Sequence, residues 1–277
     1  MPHIHQHIHS DDHGQAEILE LDAEVLAEHI ASITAWLPLA DQPRRIVDLG
    51  SGTGAGTFAL LERFPDAQVT AVDASVGHLR QLREKACARG VAERVRTVQA
   101  DLDDADWPDL GLPDLVWASA SMHHMAQPDR ALHHVRELLA PGGLFAVVEL
   151  AGFPRFLPAD TPEGRLEERC HAATDRLHAE HVPHRGADWG PMLAAAGFKV
   201  EGERTVAVHI EGSRSPAIGR YALGTLQRIR GAAAERLSGP DLAALDRLLD
   251  TDGPGSILRR DDLAVRTERA VWATRAA

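Results

Sequence analysis

The most restrictive feature of this chain is the stretch from Arg44 to Leu150, where short apolar runs alternate with segments of helical periodicity. RRIVDLG (44–50) is an apolar run ending at a glycine-rich turn; residues 55–63 read as a short helix before Phe64-Pro65-Asp66 breaks the chain. QVTAVDA (68–74), VRTVQAD (95–101), DLVWASA (114–120) and LFAVVEL (144–150) read as further strands. Between them lie helices at 76–89, with Val76, Leu79, Leu82 and Ala86 on one side and Gly90 at its end, and at 128–140, stopped by Pro141-Gly142-Gly143. Strands that are apolar throughout are buried on both faces, and strands joined through helices pair in parallel. The fold class is therefore α/β, a parallel sheet with helices on both faces.

Outside this stretch the pattern is more helical. Ile18, Leu19, Leu21, Val25, Leu26, Ile30, Ile33 and Leu37 recur at helical spacing, so residues 15–37 read as one helix ended by Pro38. Residues 162–182, 216–237 and 239–250 read as helices, 193–210 as a helix running into a strand, and 264–276 as a closing strand. The segments 152–190 and 211–262 read as insertions covering one edge of the sheet.

Composition narrows the partners. A chain of 277 residues with a formal charge of −12 lacks the basic footprint of a nucleic-acid binder, so a small-molecule partner is expected. No apolar run reaches the roughly 18–20 residues of a membrane span, and MPHIHQHIHSDDHG at the amino terminus has no apolar signal region, so a cytoplasmic location is expected. Two cysteines, Cys87 and Cys170, make neither a disulfide framework nor a four-thiolate zinc site. His3, His5, His7, His9 and His13 read as a solvated arm, because histidines without supporting groups around them make a weak metal grip. His171 and His178, seven residues apart, read as one face of a solvated helix, followed by His181 and His184. No metal site is assigned.

The turn VDLGSGTGAG (47–56) carries the chemistry. Glycines at 50, 52 and 54 let the backbone turn sharply and a ligand approach, and the following helix presents unpaired N–H groups suited to an anion. Asp73, 19 residues after Gly54 at the end of the second strand, can accept hydrogen bonds from ribose hydroxyls. Gly50-x-Gly52-x-x-Ala55 also satisfies the dinucleotide fingerprint, so these features alone identify a nucleoside and not a reaction.

Asp48 two residues before Gly50, Asp101 at the end of the third strand, and Pro141-Gly142-Gly143 ahead of the fifth strand separate the alternatives. D-x-G-x-G-x-G (48–54), VDAS (72–75), QADL (99–102), a polar end to the fourth strand and LxPGG (139–143) together resemble the class I S-adenosylmethionine-dependent methyltransferases, particularly their small-molecule branch; AAAGFKV (194–200) adds a junction common late in that fold. The resemblance implies a Rossmann-like seven-stranded sheet with the last strand, 264–276, antiparallel and with helical cap insertions. It divides the chain into an arm and lid helix (1–40), a cofactor-binding core (41–151), a helical insertion (152–190) and the rest of the core (191–277) carrying the insertion 211–262. Residues 1–40, 152–190 and 211–262 would build the acceptor pocket, and a monomer or homodimer is expected.

The resemblance also assigns residues. Asp48, Gly50, Ser51, Gly52 and Thr53 match the loop around the methionine moiety; Asp73 matches the ribose acid, with Ala74 its apolar neighbour. Asp101 and Leu102 match the adenine-edge pair, and Ala118 and Ser119 the residues facing the methionine end. His78 stands where many relatives place Met or Leu against the adenine, a departure from the pattern. The cofactor implied is S-adenosyl-L-methionine. Because its methyl group is already electrophilic, the protein's part is to position the acceptor and, if the acceptor arrives protonated, to supply a base. His123 and His124, just after the fourth strand, and Glu149, near the end of the fifth, are the candidate catalytic residues.

Two other classes compete. An NAD-dependent oxidoreductase has no need of Asp48 and Asp101, and the chain offers no Tyr-x-x-x-Lys pair, its one tyrosine being Tyr221. A protein that binds the sulfonium cofactor without methyl transfer would keep the same motifs. A nucleic-acid methyltransferase is disfavoured, since Ala118-Ser119-Ala120-Ser121 replaces the Asn/Asp-Pro-Pro-Tyr/Phe signature.

Overall fold

The computed structural model describes residues 12–277, apart from the side chains of Asp12, His13, 176–178, 180 and 181. His3, His5, His7 and His9 therefore lie outside the described residues, as do the side chains of His13, His178 and His181.

Seven strands form one sheet: β1 (Arg45–Leu49), β2 (Gln68–Asp73), β3 (Val95–Gln99), β4 (Leu115–Ser119), β5 (Leu144–Leu150), β6 (Phe198–Glu211) and β7 (Ala264–Ala276). Their order is β3-β2-β1-β4-β5-β7-β6. β1 pairs in parallel with β2 and β4, as do β2 with β3 and β4 with β5, whereas β7 runs antiparallel to β5. The expected architecture, closing antiparallel strand included, is the observed one.

Strand alternation splits the core into two layers. Ile46, Leu115, Trp117 and Ala146 pack on one face with Phe58, Leu60 and Leu61 of α3 (Ala55–Arg63) and Leu82 of α4 (Val76–Ala88). Val47, Leu49, Val116 and Val147 pack on the other with Leu132 and Val135 of α5 (Pro128–Leu138) and Trp189 of α7 (Trp189–Ala195).

The chain divides into two compact units. One is the sheet unit, Ala27–Ala151 with His184–Val206 and Arg269–Ala277. The other comprises the described residues up to Leu26, Gly152–Pro183 and Ala207–Glu268. In this second unit α1 (Asp12–Val25), α6 (Pro162–His181), α8 (Ala217–Ala233) and α9 (Gly239–Leu249) provide the helices, and Tyr221 of α8 donates to Asp22 of α1. His171 is buried there with its ring 5.7 Å from Phe153, correcting its reading as a solvated residue.

Two further departures go beyond small shifts at element ends. The helix expected over 15–37 is interrupted at Leu26, giving α1 and α2 (Ala27–Trp36). The interruption falls where the chain passes from one compact unit to the other, so the two halves bury their apolar sides in different cores. β3 ends at Gln99, two residues before Asp101. Asp101 starts a turn, its Oδ1 accepting from the Asp103 N–H at 2.9 Å and its carbonyl from the Asp104 N–H at 3.1 Å, and this local bonding replaces the ladder.

Candidate functional site

The sheet's carboxyl edge gathers the loops after β1, β2, β4 and β5. Open α/β sheets bind ligands at this edge. After β1 the backbone takes positive φ at Gly50 (67°), Gly52 (52°) and Gly54 (100°), and α3 starts at Ala55 with no side-chain cap on its N-terminus. Its first N–H groups therefore face the loop as an anion-binding end. The buried Ser51 hydroxyl has no hydrogen-bond partner among the described residues, leaving a polar atom for a ligand to satisfy. These features fit the methionine end of the implied cofactor.

Asp73 closes this loop against β2. Its Oδ2 accepts from the Gly52 N–H at 2.8 Å, and its Oδ1 from the Ser75 N–H at 2.8 Å and from His78 Nδ1 at 3.3 Å. Burial pushes the Asp73 carboxyl up, but the bonds from His78, Ser75 and Gly52 outweigh it and hold the group below its ordinary value. An ionised, anchored carboxylate at this point suits a ribose. Ser75 caps α4, its hydroxyl accepting from the His78 N–H at 3.2 Å, which puts His78 in the first turn beside Asp73.

Asp48 sits differently. It pairs in register with Trp117 of β4, and on that face it is only 2% exposed. Its Oδ2 accepts from the Thr57 hydroxyl of α3 at 2.6 Å. The geometry makes Asp48 a strut between β1 and the first turn of α3. Burial, resisted by the Thr57 bond and reinforced by the Asp73 charge, raises its carboxyl to about 7.

The unfolded Asp48 ionises near 3.8, so stability present below that pH is lost as the pH rises through about 7. Asp48→Asn keeps an acceptor for Thr57 without the charge. It is expected to stabilise the protein at pH 8–9 by about 2–4 kcal/mol while changing little near pH 4. Urea unfolding of both proteins at the two pH values checks this; a variant less stable than wild type at pH 8–9 would show that the charge is compensated.

Among the other expected cofactor residues, Thr53 is buried and its carbonyl accepts from Lys85 Nζ at 3.2 Å. Ala74 is exposed beside Asp73. Leu102 is buried and Asp101 exposed, with one carboxyl oxygen engaged by its own turn. Ala118 is buried in the sheet core, and Ser119 is half-buried at the end of β4.

The three candidate catalytic residues come together, in unequal roles. Glu149 is 1% exposed. Its Oε1 accepts from the N–H groups of Met122 (2.9 Å) and His123 (3.3 Å), and its Oε2 lies 2.6 Å from His123 Nδ1. An ionised carboxylate only accepts, so His123 Nδ1 carries the proton and Nε2 is left as the basic nitrogen. The His124 side chain is exposed, its ring 4.1 Å from that of His123.

Two residues escaped sequence reading. Ser121 donates from its hydroxyl to the Leu49 carbonyl at 2.8 Å, tying the turn after β4 to the glycine loop. Ala120 before it has φ 51°, a left-handed conformation rarely taken by residues other than glycine, with its N–H bonded to the Val148 carbonyl at 2.8 Å. No local pattern marks a hydroxyl whose partner lies 72 residues away.

Among the described residues no group of three His, Cys, Asp or Glu side chains is placed to hold a metal ion. No described helix is long and apolar enough to cross a membrane.

Comparison with known proteins finds methyltransferases. A family described as a methyltransferase domain matches residues 47–145. Trans-aconitate 2-methyltransferase of Acidovorax sp. (strain JS42) is 43% identical over 105 residues, 38% of each chain. The chain thus spans well under half the length of that relative. Malonyl-[acyl-carrier protein] O-methyltransferase of Geobacter sulfurreducens is 31% identical over 228 residues, 72% of this chain and 79% of the relative. A Haemonchus contortus N-methyltransferase structure, in complex with phosphomonomethylethanolamine and S-adenosylhomocysteine, aligns with 99% of this chain and 61% of its own. Its TM-score is 0.56 at 14% identity, a likeness of fold.

Proposed function

Since the chain belongs to the class I S-adenosylmethionine-dependent methyltransferases, we propose that it methylates O, N or C of a small organic acceptor using S-adenosyl-L-methionine. The observation that carries this reading is the closure of the glycine loop on Asp73, through the 2.8 Å bond from the Gly52 N–H. That bond holds a ribose-binding carboxylate beside an anion-binding helix end. Ser51, Gly52 and Thr53 would hold the methionine end, Asp73 the ribose, and Asp101 with Leu102 the adenine edge. When bound, the cofactor supplies a methyl group on a sulfonium, ready for in-line displacement.

The chain's own task is to present the nucleophile and, for a protonated acceptor, to take its proton. His123 Nε2 is the proton acceptor in this reading, and Glu149 is the positioning residue that fixes its tautomer. His124, exposed beside it, would touch the acceptor without moving its proton. Relatives act, by name, on trans-aconitate and on malonyl-acyl-carrier protein, in keeping with small or carrier-borne acids as acceptors.

A gain of one methyl on an acceptor, read by mass spectrometry, tests the activity. Calorimetry with S-adenosylhomocysteine against NAD tests the cofactor; binding of NAD alone would overturn the reading. His123→Ala is expected to lower kcat by about 10²–10⁴-fold, the usual worth of a positioned base, and His124→Ala by less than about tenfold. Equal, undiminished turnover of the two variants on the true acceptor would remove both from the mechanism.

A further inference from the structure

We infer that His78 is a latch on the ribose-binding acid, occupying Asp73 in the free protein and having to yield it when the cofactor binds. The inference rests on the cofactor assignment above. A carboxylate offers about four acceptor sites. On Asp73 three are taken: Ser75 N–H and His78 Nδ1 on Oδ1, and Gly52 N–H on Oδ2. A ribose diol asks for two, and one remains.

The three present donors are not equally replaceable. The two backbone N–H groups lie at 2.8 Å and are built into the glycine loop and the start of α4, so releasing either would unmake the loop. His78 is a side chain at 3.3 Å, the longest of the three contacts and the one a rotation about side-chain bonds can break. It is only 8% exposed, so in the free protein it fills the space beside Asp73. The first hydroxyl takes the vacant site on Oδ2; the second takes the site that His78 gives up. His78 thus sets cofactor affinity and selects for ligands carrying an intact diol, which alone recover what the release costs.

Protonation strengthens the latch, because an imidazolium holds a carboxylate more tightly than a neutral ring. By linkage, cofactor affinity falls as the pH is lowered. Among the other described charged groups, Asp48 on β1 bears on this pair, since its carboxyl feels Asp73, and Lys85 further along α4 reaches the Thr53 carbonyl of the adjoining loop. Both are unchanged in a His78 variant, which therefore serves as the control for their titration.

Calorimetry with S-adenosylhomocysteine on wild type, His78→Leu and His78→Met at pH 6 and pH 8 tests the latch. Both variants are expected to bind more tightly than wild type, by about tenfold at pH 6 and about threefold at pH 8, the scale of one net hydrogen bond. The wild type should lose more affinity than the variants between pH 8 and pH 6. Wild-type protein that binds no S-adenosylhomocysteine at either pH would sink the cofactor assignment itself. Measurable wild-type binding, with variants that bind equally or less tightly, would overturn the latch alone. The two variants fill the space differently, so a loss in both would place His78 on the adenine as a supporting contact.

Discussion

Asp73→Ala is expected to weaken S-adenosylhomocysteine binding by at least about 100-fold. On the proposed reading two ribose hydroxyl bonds to a charged group would be lost, each worth about 1.5–3 kcal/mol. The Gly52 and Ser75 N–H groups also lose their acceptor, so the loop no longer holds the shape a ligand needs. Calorimetry gives the affinity, and circular dichroism shows whether the fold is retained. Asp73→Asn separates the two contributions: its amide oxygen keeps one acceptor while the charge is gone, so its affinity should fall between wild type and Asp73→Ala. An Asp73→Ala protein that is folded and binds with unchanged affinity would remove this carboxylate from the site.

Gly50→Ala is expected to destabilise the protein by about 3 kcal/mol or to prevent folding, combining backbone strain with overpacking. A Cβ at Gly50 would stand 2.4 Å from Ser121 Cβ, and the residue has φ 67°. Gly90 provides the matched control. It has the same φ of 67°, but a Cβ there meets nothing within 4 Å. Gly90→Ala should therefore cost only the conformational penalty, about 1 kcal/mol. Urea unfolding of the two variants isolates the contact with Ser121, and equal stabilities would mean that the turn after β4 moves aside freely. The contact links the glycine loop to the turn bearing His123, so on the proposed function a Gly50→Ala protein that folds should also lose turnover.

Much of this was legible in the residues themselves. The order of strands and helices from Arg44 to Leu150 follows from apolar runs broken by glycine and proline. Such punctuation is local, and α3, β5 and β7 run over the residues expected for them. Glycine spacing, an acid after the second strand and the paired histidines likewise marked the residues that gather at the sheet's carboxyl edge, because a loop that must bend sharply has few residue types to choose from. β3 stops at Gln99, short of the end expected at Asp101. Whether an aspartate accepts from its own turn or closes a strand depends on the neighbouring strand.

What the amino-acid order determined by itself was the class of fold, the placing of the glycine turn and the chemical types at the sheet's carboxyl edge. Tertiary structure alone decided how those groups divide the work. It turned Asp48 inward under α3, buried Glu149 as the holder of His123 while leaving His124 exposed, and brought Ser121 to Leu49 and His78 to Asp73. The physical reason is that a side chain's charge, tautomer and free lone pairs are set by what is packed around it. In this chain those neighbours are often brought together from distant segments.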